Sequence, residues 1–243
     1  MLAAALAFLS MMGAALLGLC SKTRLSFELL KDDTNSVVRQ VASLFVVMTS
    51  LVLGLMLNSA KSTVENNDRN IKTLATDLVV LDRTLRALGP KADDARRHLV
   101  EYVQISLKEA NIIVEDPEAE ASLDMAGTSL RAIRVSDQQE VALWDDAREL
   151  YRDVVQERWD VLAASGYTIP TPLVVMLILW LTFIFASFGY RAPHNSIAMA
   201  SLFLGALLIS ATLYLIIDMD TPSTGIIQVS SLPFQRALAQ MQH

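Results

Sequence analysis

Asp218 and Asp220 close a long apolar run and are followed by Thr221, Pro222, Ser223, Thr224 and Gly225. Acids are rare at the end of a hydrophobic helix. A carboxylate costs roughly 2.5–3.5 kcal/mol at the centre of a bilayer and much less at its surface. The plain reading is a solvated helix end with a Pro-Gly turn. The sharper reading is a charged ring or latch at the mouth of a pore. A second group is Ser50, Gly54 and Asn58, which fall four residues apart on one helix face. Ser201 with Gly205, and Ala206 with Ser210, repeat the pattern in a later run. Small faces let helices approach closely in lipid, so each stripe is read either as packing within one bundle or as a subunit interface or pore wall.

Other chemistry has little support. His98, His194 and His243 lie in three different segments, and no HExxH or CxxC spacing occurs. No metal site and no cofactor are therefore expected. A nucleophile elbow, a P-loop and a dinucleotide fingerprint are all absent from the sequence, so no catalytic residues are assigned and the chain is not read as an enzyme. Asp82 with Arg86 looks like an ordinary i,i+4 pair on a solvated face. The single cysteine, Cys20, rules out an intrachain disulfide and reads as a small buried or lipid-facing residue. A net charge of −6 without a basic stripe argues against nucleic acid as a partner.

The elements that must position these residues are set by hydrophobicity. The chain has 243 residues, 53% of them hydrophobic; its mean hydropathy is +0.39. The apolar residues gather in four blocks, about 1–19, 41–60, 171–190 and 196–217. Each is near the roughly 20 residues that cross a hydrocarbon core as a helix. The first has no cationic residue before it, so it reads as a retained helix and not as a cleaved signal. Pro170 and Pro172 suit the start of the third. Lys22, Arg24, Lys31 and Arg39 follow block one, and Arg191 follows block three. The positive-inside rule puts both loops in the cytoplasm and the middle segment outside.

Residues 61–168 are charged and helical in pattern. Val64, Asn67, Ile71, Leu74, Leu78, Leu81, Leu85 and Leu88 follow a 3-4 alternation with seven of the eight apolar, which makes a heptad seam. Block two and this seam can form one long helix, ended by Gly89-Pro90. Asp93 and Asp94 suit the first turn of the next helix, with Leu99, Tyr102, Ser106, Ala110 and Ile113 on one face. The acidic stretch 115–127 reads as a loop. A third helix is expected over about 137–164, with Val141, Trp144, Tyr151, Val155 and Leu162 on its apolar face. The tail 225–240 is too short to span and is expected on the membrane surface or against the middle bundle. The seam itself can face its own chain or another copy.

Two of these stretches together resemble a known family. Leu81-Asp82-Arg83-Thr84-Leu85, then Gly89-Pro90 and Ala95-Arg96, is similar to the middle segment of the bacterial bestrophin-like domain family. Asp218-x-Asp220-x-Pro222-x-x-Gly225, then Val229-Ser230-Ser231-x-Pro233 and Ala237-Leu238, resembles that family's end-of-helix motif. Ser223 departs from the aromatic often found after the proline. The resemblance covers nearly everything from block two onward. It implies a remote relation to bestrophins, which are pentameric chloride channels with apolar and aromatic constrictions on the second span and a cytoplasmic large domain. Phe45 is the only aromatic residue of block two, and the implied orientation opposes the charge rule.

The expected fold is all-α and integral to the membrane, with four transmembrane helices in a 2+2 arrangement and an extramembrane helical bundle between spans two and three. The expected segments are 1–60, 61–168, 169–218 and 219–243. The expected protein is a multi-pass component of the bacterial inner membrane. It is expected to be a homo-oligomeric channel or channel-like protein handling inorganic ions, pentameric by resemblance alone, with Ser50, Gly54 and Asn58 on the path. Ile71, Leu74, Leu78, Leu81 and Leu85 form its oligomer or bundle seam. The alternative is a non-conducting scaffold or sensor whose bundle binds a partner.

Overall fold

The computed structural model describes residues 2–21, 32–108, 116–163, 169–220 and 230–242, all within helices and short connections. In chain order the helices are α1 (Leu2–Ser21), α2 (Asp32–Ala87), a 3-10 turn (Gly89–Ala92), α3 (Asp93–Lys108), α4 (Pro117–Ala132), α5 (Gln138–Ala163), α6 (Thr171–Arg191), α7 (Ser196–Met219) and α8 (Leu232–Met241). Four of them are long and apolar enough to cross a membrane: α1, α2, α6 and α7. The chain divides into two compact units. One holds residues 1–62 and 167–220, the other 63–166 and 221–243.

Helix α2 runs unbroken through 56 residues, with the seam continuing the apolar block as the 3-4 spacing predicts. It stops where Gly89 adopts φ +75°, a left-handed conformation that only glycine enters without strain. Pro90 then removes the next amide donor.

The first unit buries a face of α1 (Ala7, Met11, Ala15) against α6 and α7 (Leu177, Leu181, Phe185, Ala206, Leu213, Ile216). The tightest crossing is between α1 and α6. A Cβ on Gly189 would lie 2.0 Å from the Ala15 carbonyl oxygen, and one on Gly18 would lie 2.4 Å from that of Ala186. Two backbones meet here with no side chain between them, as small residues permit in lipid. The hydroxyls of Ser10 and Thr182 lie 3.1 Å apart and add a polar link between the same helices. The sequence reading placed the small faces on blocks two and four and missed this pair.

The second unit is a bundle built on the seam. Ile71, Leu74, Leu78, Leu81 and Leu85 are buried together with Leu99, Tyr102 and Val103 of α3, Leu123 and Leu130 of α4, Val154 and Val161 of α5, and Phe234 and Met241 of α8. The stretch expected as a loop is largely a helix, α4. Asp116 is its N-cap and accepts a 2.8 Å bond from the Glu118 amide; Pro117 occupies the first turn. Asp-Pro is here a helix start and not a breaker. Gly127 does not turn the chain either. It sits within α4 because the Tyr151 ring lies where its Cβ would be, 2.3 Å away. The Tyr151 hydroxyl donates to the Leu123 carbonyl at 3.1 Å.

Helix α5 ends close to where the pattern put it, but its buried stripe is Ala147, Val154 and Val161. Val141, expected on the apolar face, is exposed. Of the α3 face, Leu99, Tyr102 and Ser106 are buried; Ala110 and Ile113 lie outside the described residues. The tail packs on the bundle: Phe234, Ala237 and Met241 of α8 are buried in its core.

Candidate functional site

At the end of α7 the two acids are not solvated. Asp218 and Asp220 are 8% and 2% exposed. Asp220 Oδ2 accepts a 3.0 Å hydrogen bond from the Ile169 amide, immediately before Pro170 and the start of α6. The carboxylate therefore ties the end of α7 to the start of α6, an amide that no helix of its own would satisfy. Asp218 Oδ1 accepts from the Tyr214 hydroxyl at 3.3 Å, one turn earlier. The plain expectation of a solvated helix end fails: both carboxylates are buried, and Asp220 is bonded to the Ile169 amide. Pro222 and Gly225, the rest of the motif, lie outside the described residues.

The α2 stripe has a different environment. Ser50, Gly54 and Asn58 are all exposed. Among the described residues nothing lies within 4 Å of where a Gly54 Cβ would be, and Ser50 Oγ donates back to the Val46 carbonyl at 2.9 Å. Only 17% of the most apolar window of α2 is buried, against 33% for α6. One end of the stripe opens on a cavity of about 410 Å³ between α2, α6 and α7, lined by apolar side chains with Thr49, Ser50, Ser201 and Gly205. Two stripes noticed separately in the sequence, Ser50 and Ser201–Gly205, thus face one space. The second pair, Ala206 and Ser210, is buried instead. Thr49 is also buried, and its Oγ1 has no hydrogen-bond partner among the described residues. Phe45 is not isolated: its ring lies 5.3 Å from Phe183 and 5.9 Å from Trp180, both on α6.

In the bundle, Asp82 overturns its expected role. It is 1% exposed. Its two oxygens accept from Arg86 Nε and Arg96 Nε, each at 2.8 Å. The same arginines donate onward to the end of α8. Arg86 Nη2 reaches the Gln240 and Met241 carbonyls at 3.0 and 2.8 Å, and Arg96 Nη2 reaches Met241 O at 2.5 Å. The last carbonyls of a helix have no internal donors and carry partial negative charge. Asp82 therefore orients two guanidiniums that cap α8. This arrangement binds a helix end.

Three further groups mark the bundle interior. Arg158 is buried on α5, with Glu120 Oε2 3.8 Å away. It lies beside Tyr102, whose phenol is raised above its ordinary range by burial, with Arg158 opposing the shift. Asn67, the polar member of the seam, is fully buried, and among the described residues neither amide atom has a hydrogen-bond partner. A polar residue at one seam position specifies register at a cost in stability. On the flank between α2 and α5, burial raises the carboxyls of Asp77 and Glu157 above their usual range. Asp153 adds to both shifts, and Asp160 and Asp77 add to that of Glu157.

The described residues thus define an all-α protein with four helices able to span a membrane and a helical bundle clamped onto its own C-terminal helix. A family model, the Bestrophin-like domain, matches residues 9–234. The chain belongs to the bestrophin-like family. No curated protein and no solved structure matches it.

Proposed function

We propose that the protein is a homo-oligomeric membrane channel for inorganic ions, with α2 lining the conducting path. Residues 1–60 and 169–218 form its membrane part, 61–168 an extramembrane bundle, and 219–243 the end motif and tail. The observation that carries the reading is the exposure of Ser50, Gly54 and Asn58 along one face of a helix otherwise lined by exposed leucines and valines. A polar stripe turned to hydrocarbon is unfavourable. Copies arranged around an axis would turn it to water instead. Family membership favours the same reading. Asp218 and Asp220 are drawn into internal hydrogen bonds, which makes them positioning groups for α6 and α7 and weakens their case as a ring of acids selecting cations. Anion conduction is accordingly the preferred form, in a bacterial plasma membrane.

Currents from purified protein in a planar bilayer test this. Discrete single-channel events whose reversal potential moves with the anion gradient support it; silence across several salts and potentials refutes it. The alternative of a non-conducting scaffold loses its expected docking surface, because Ile71, Leu74, Leu78, Leu81 and Leu85 are already buried in the chain's own core.

A further inference from the structure

The charges of the bundle are sorted between its two flanks. Helix α5 carries Asp146, Glu149, Asp153, Glu157 and Asp160. The spacing of 3, 4, 4 and 3 places all five on one face. Among the described residues none of the five enters an ion pair. Asp77 of α2 adjoins this stripe: burial raises the carboxyls of Asp77 and Glu157, with repulsion from Asp153 adding to both and from Asp160 and Asp77 adding to that of Glu157. Like charges held this way are unfavourable in an isolated chain.

The other flank holds a groove of about 420 Å³ between α2 and α8. Lys72, Arg83 and Arg236 line it with Val79, Val80 and Gln240, and among the described residues no carboxylate does. Lys72 holds Asp68 at 2.6 Å, and Arg83 donates to Gln240 Oε1 at 3.4 Å. Among the described residues Arg83 and Arg236 have no carboxylate partner. Each residue turns a helix by about 100°. On α2, Lys72 and Arg83 therefore fall on one side of the buried Leu74–Leu78–Leu81 stripe and Asp77 on the other. In a chain of net charge −6, a cationic groove on one flank and an unneutralised acidic stripe on the opposite flank are complementary. Two different surfaces on opposite flanks make a head-to-tail contact, the kind that closes rings.

We propose that the cationic groove between α2 and α8 receives the acidic stripe of α5 from a neighbouring copy of the same chain, and that this contact repeats around the assembly. The inference rests on the oligomeric reading above and names the surfaces that make it. Complementary potentials of this kind set register and partner choice.

Two experiments on the full chain in detergent test it. In the first, the groove is reversed by Arg83→Glu with Arg236→Glu, or the stripe by Asp153→Lys with Glu157→Lys, and particle mass is measured. Either reversal should lower the fraction of the largest assembly at least tenfold, and all four changes in one chain should restore it. In the second, Gln240→Cys and Gln156→Cys are placed in a Cys20→Ser background. Oxidation should link chains only when both cysteines are present, since the contact joins unlike surfaces. This second readout does not depend on whether a charge-reversed chain folds. A monomeric wild type would refute the oligomeric reading itself. A wild-type assembly indifferent to both reversals, with no paired-cysteine link, would overturn the interface alone and leave the groove to an acidic partner of another kind.

Discussion

Removing the Asp82 carboxylate should release the end of α8 before it disturbs anything else. Asp82→Ala deletes two charge-assisted hydrogen bonds, from Arg86 and Arg96 at 2.8 Å each. Such bonds contribute roughly 1.5–3 kcal/mol apiece, and breaking a buried pair by removing one partner costs roughly 3–5 kcal/mol. The arginine side chains are 33% and 32% exposed, so water recovers part of the loss. About 2–4 kcal/mol of bundle stability is then expected to go. Phe234 anchors the first turn of α8 apart from the clamp, being fully buried and worth roughly 1.5–3 kcal/mol. The helix should therefore fray from Gln240 backward and keep its first turn. Hydrogen exchange of detergent-purified protein reads this directly. Protection of the amides near Met241 should collapse while those near Phe234 change little, and denaturant titration should show the overall loss. A stability change below about 0.5 kcal/mol, as for ordinary surface sites, or equal loss of protection along all of α8, would refute the clamp.

Gly127→Ala drives a methyl into the Tyr151 ring and disrupts its bond to Leu123; overpacking plus a lost hydrogen bond should cost about 2–4 kcal/mol, read from thermal unfolding. Gly189→Val should separate α1 from α6 and lower the melting temperature, whereas Gly54→Ala, with nothing near its Cβ, should leave the fold of the single chain unchanged. Asp220→Ala leaves the Ile169 amide buried without its acceptor, which should cost roughly 1–3 kcal/mol and show as faster exchange at the start of α6. Asp77 and Glu157 have folded-state pKa values raised above 3.8 and 4.5. The folded chain thus binds more protons than the unfolded one across that window, and their contribution falls as pH rises through it. Asp77→Asn with Glu157→Gln should flatten that part of the stability–pH curve and raise stability at pH 7 relative to wild type.

Features carried by composition or by consecutive residues were legible in the sequence. Four blocks of helix-spanning length are recognisable because lipid demands about 20 apolar residues at a stretch, and the seam and the Gly89-Pro90 stop are both local patterns. What escaped depends on distant partners. Asp82 and Arg86 look alike in sequence whether they face water or the core; only Arg96 and the carbonyls of α8 reveal which. Asp116-Pro117 and Gly127 read as loop markers until Tyr151 and the N-cap bond give each a helical role. The depth of Asp220 required the Ile169 amide, and the Gly18–Gly189 crossing required α6 to return to α1. The stripe on α2 was visible as a face, but its exposure became visible only once the chain's own helices had packed elsewhere.

The most direct test of a path along α2 is single-channel recording of Asn58→Cys in a Cys20→Ser background, before and after a charged, water-soluble thiol reagent is added. The account predicts discrete currents whose amplitude changes stepwise as the reagent reacts at residue 58. Currents unaffected by complete modification would contradict the placement of α2 on the path, and the absence of current before modification would contradict conduction itself.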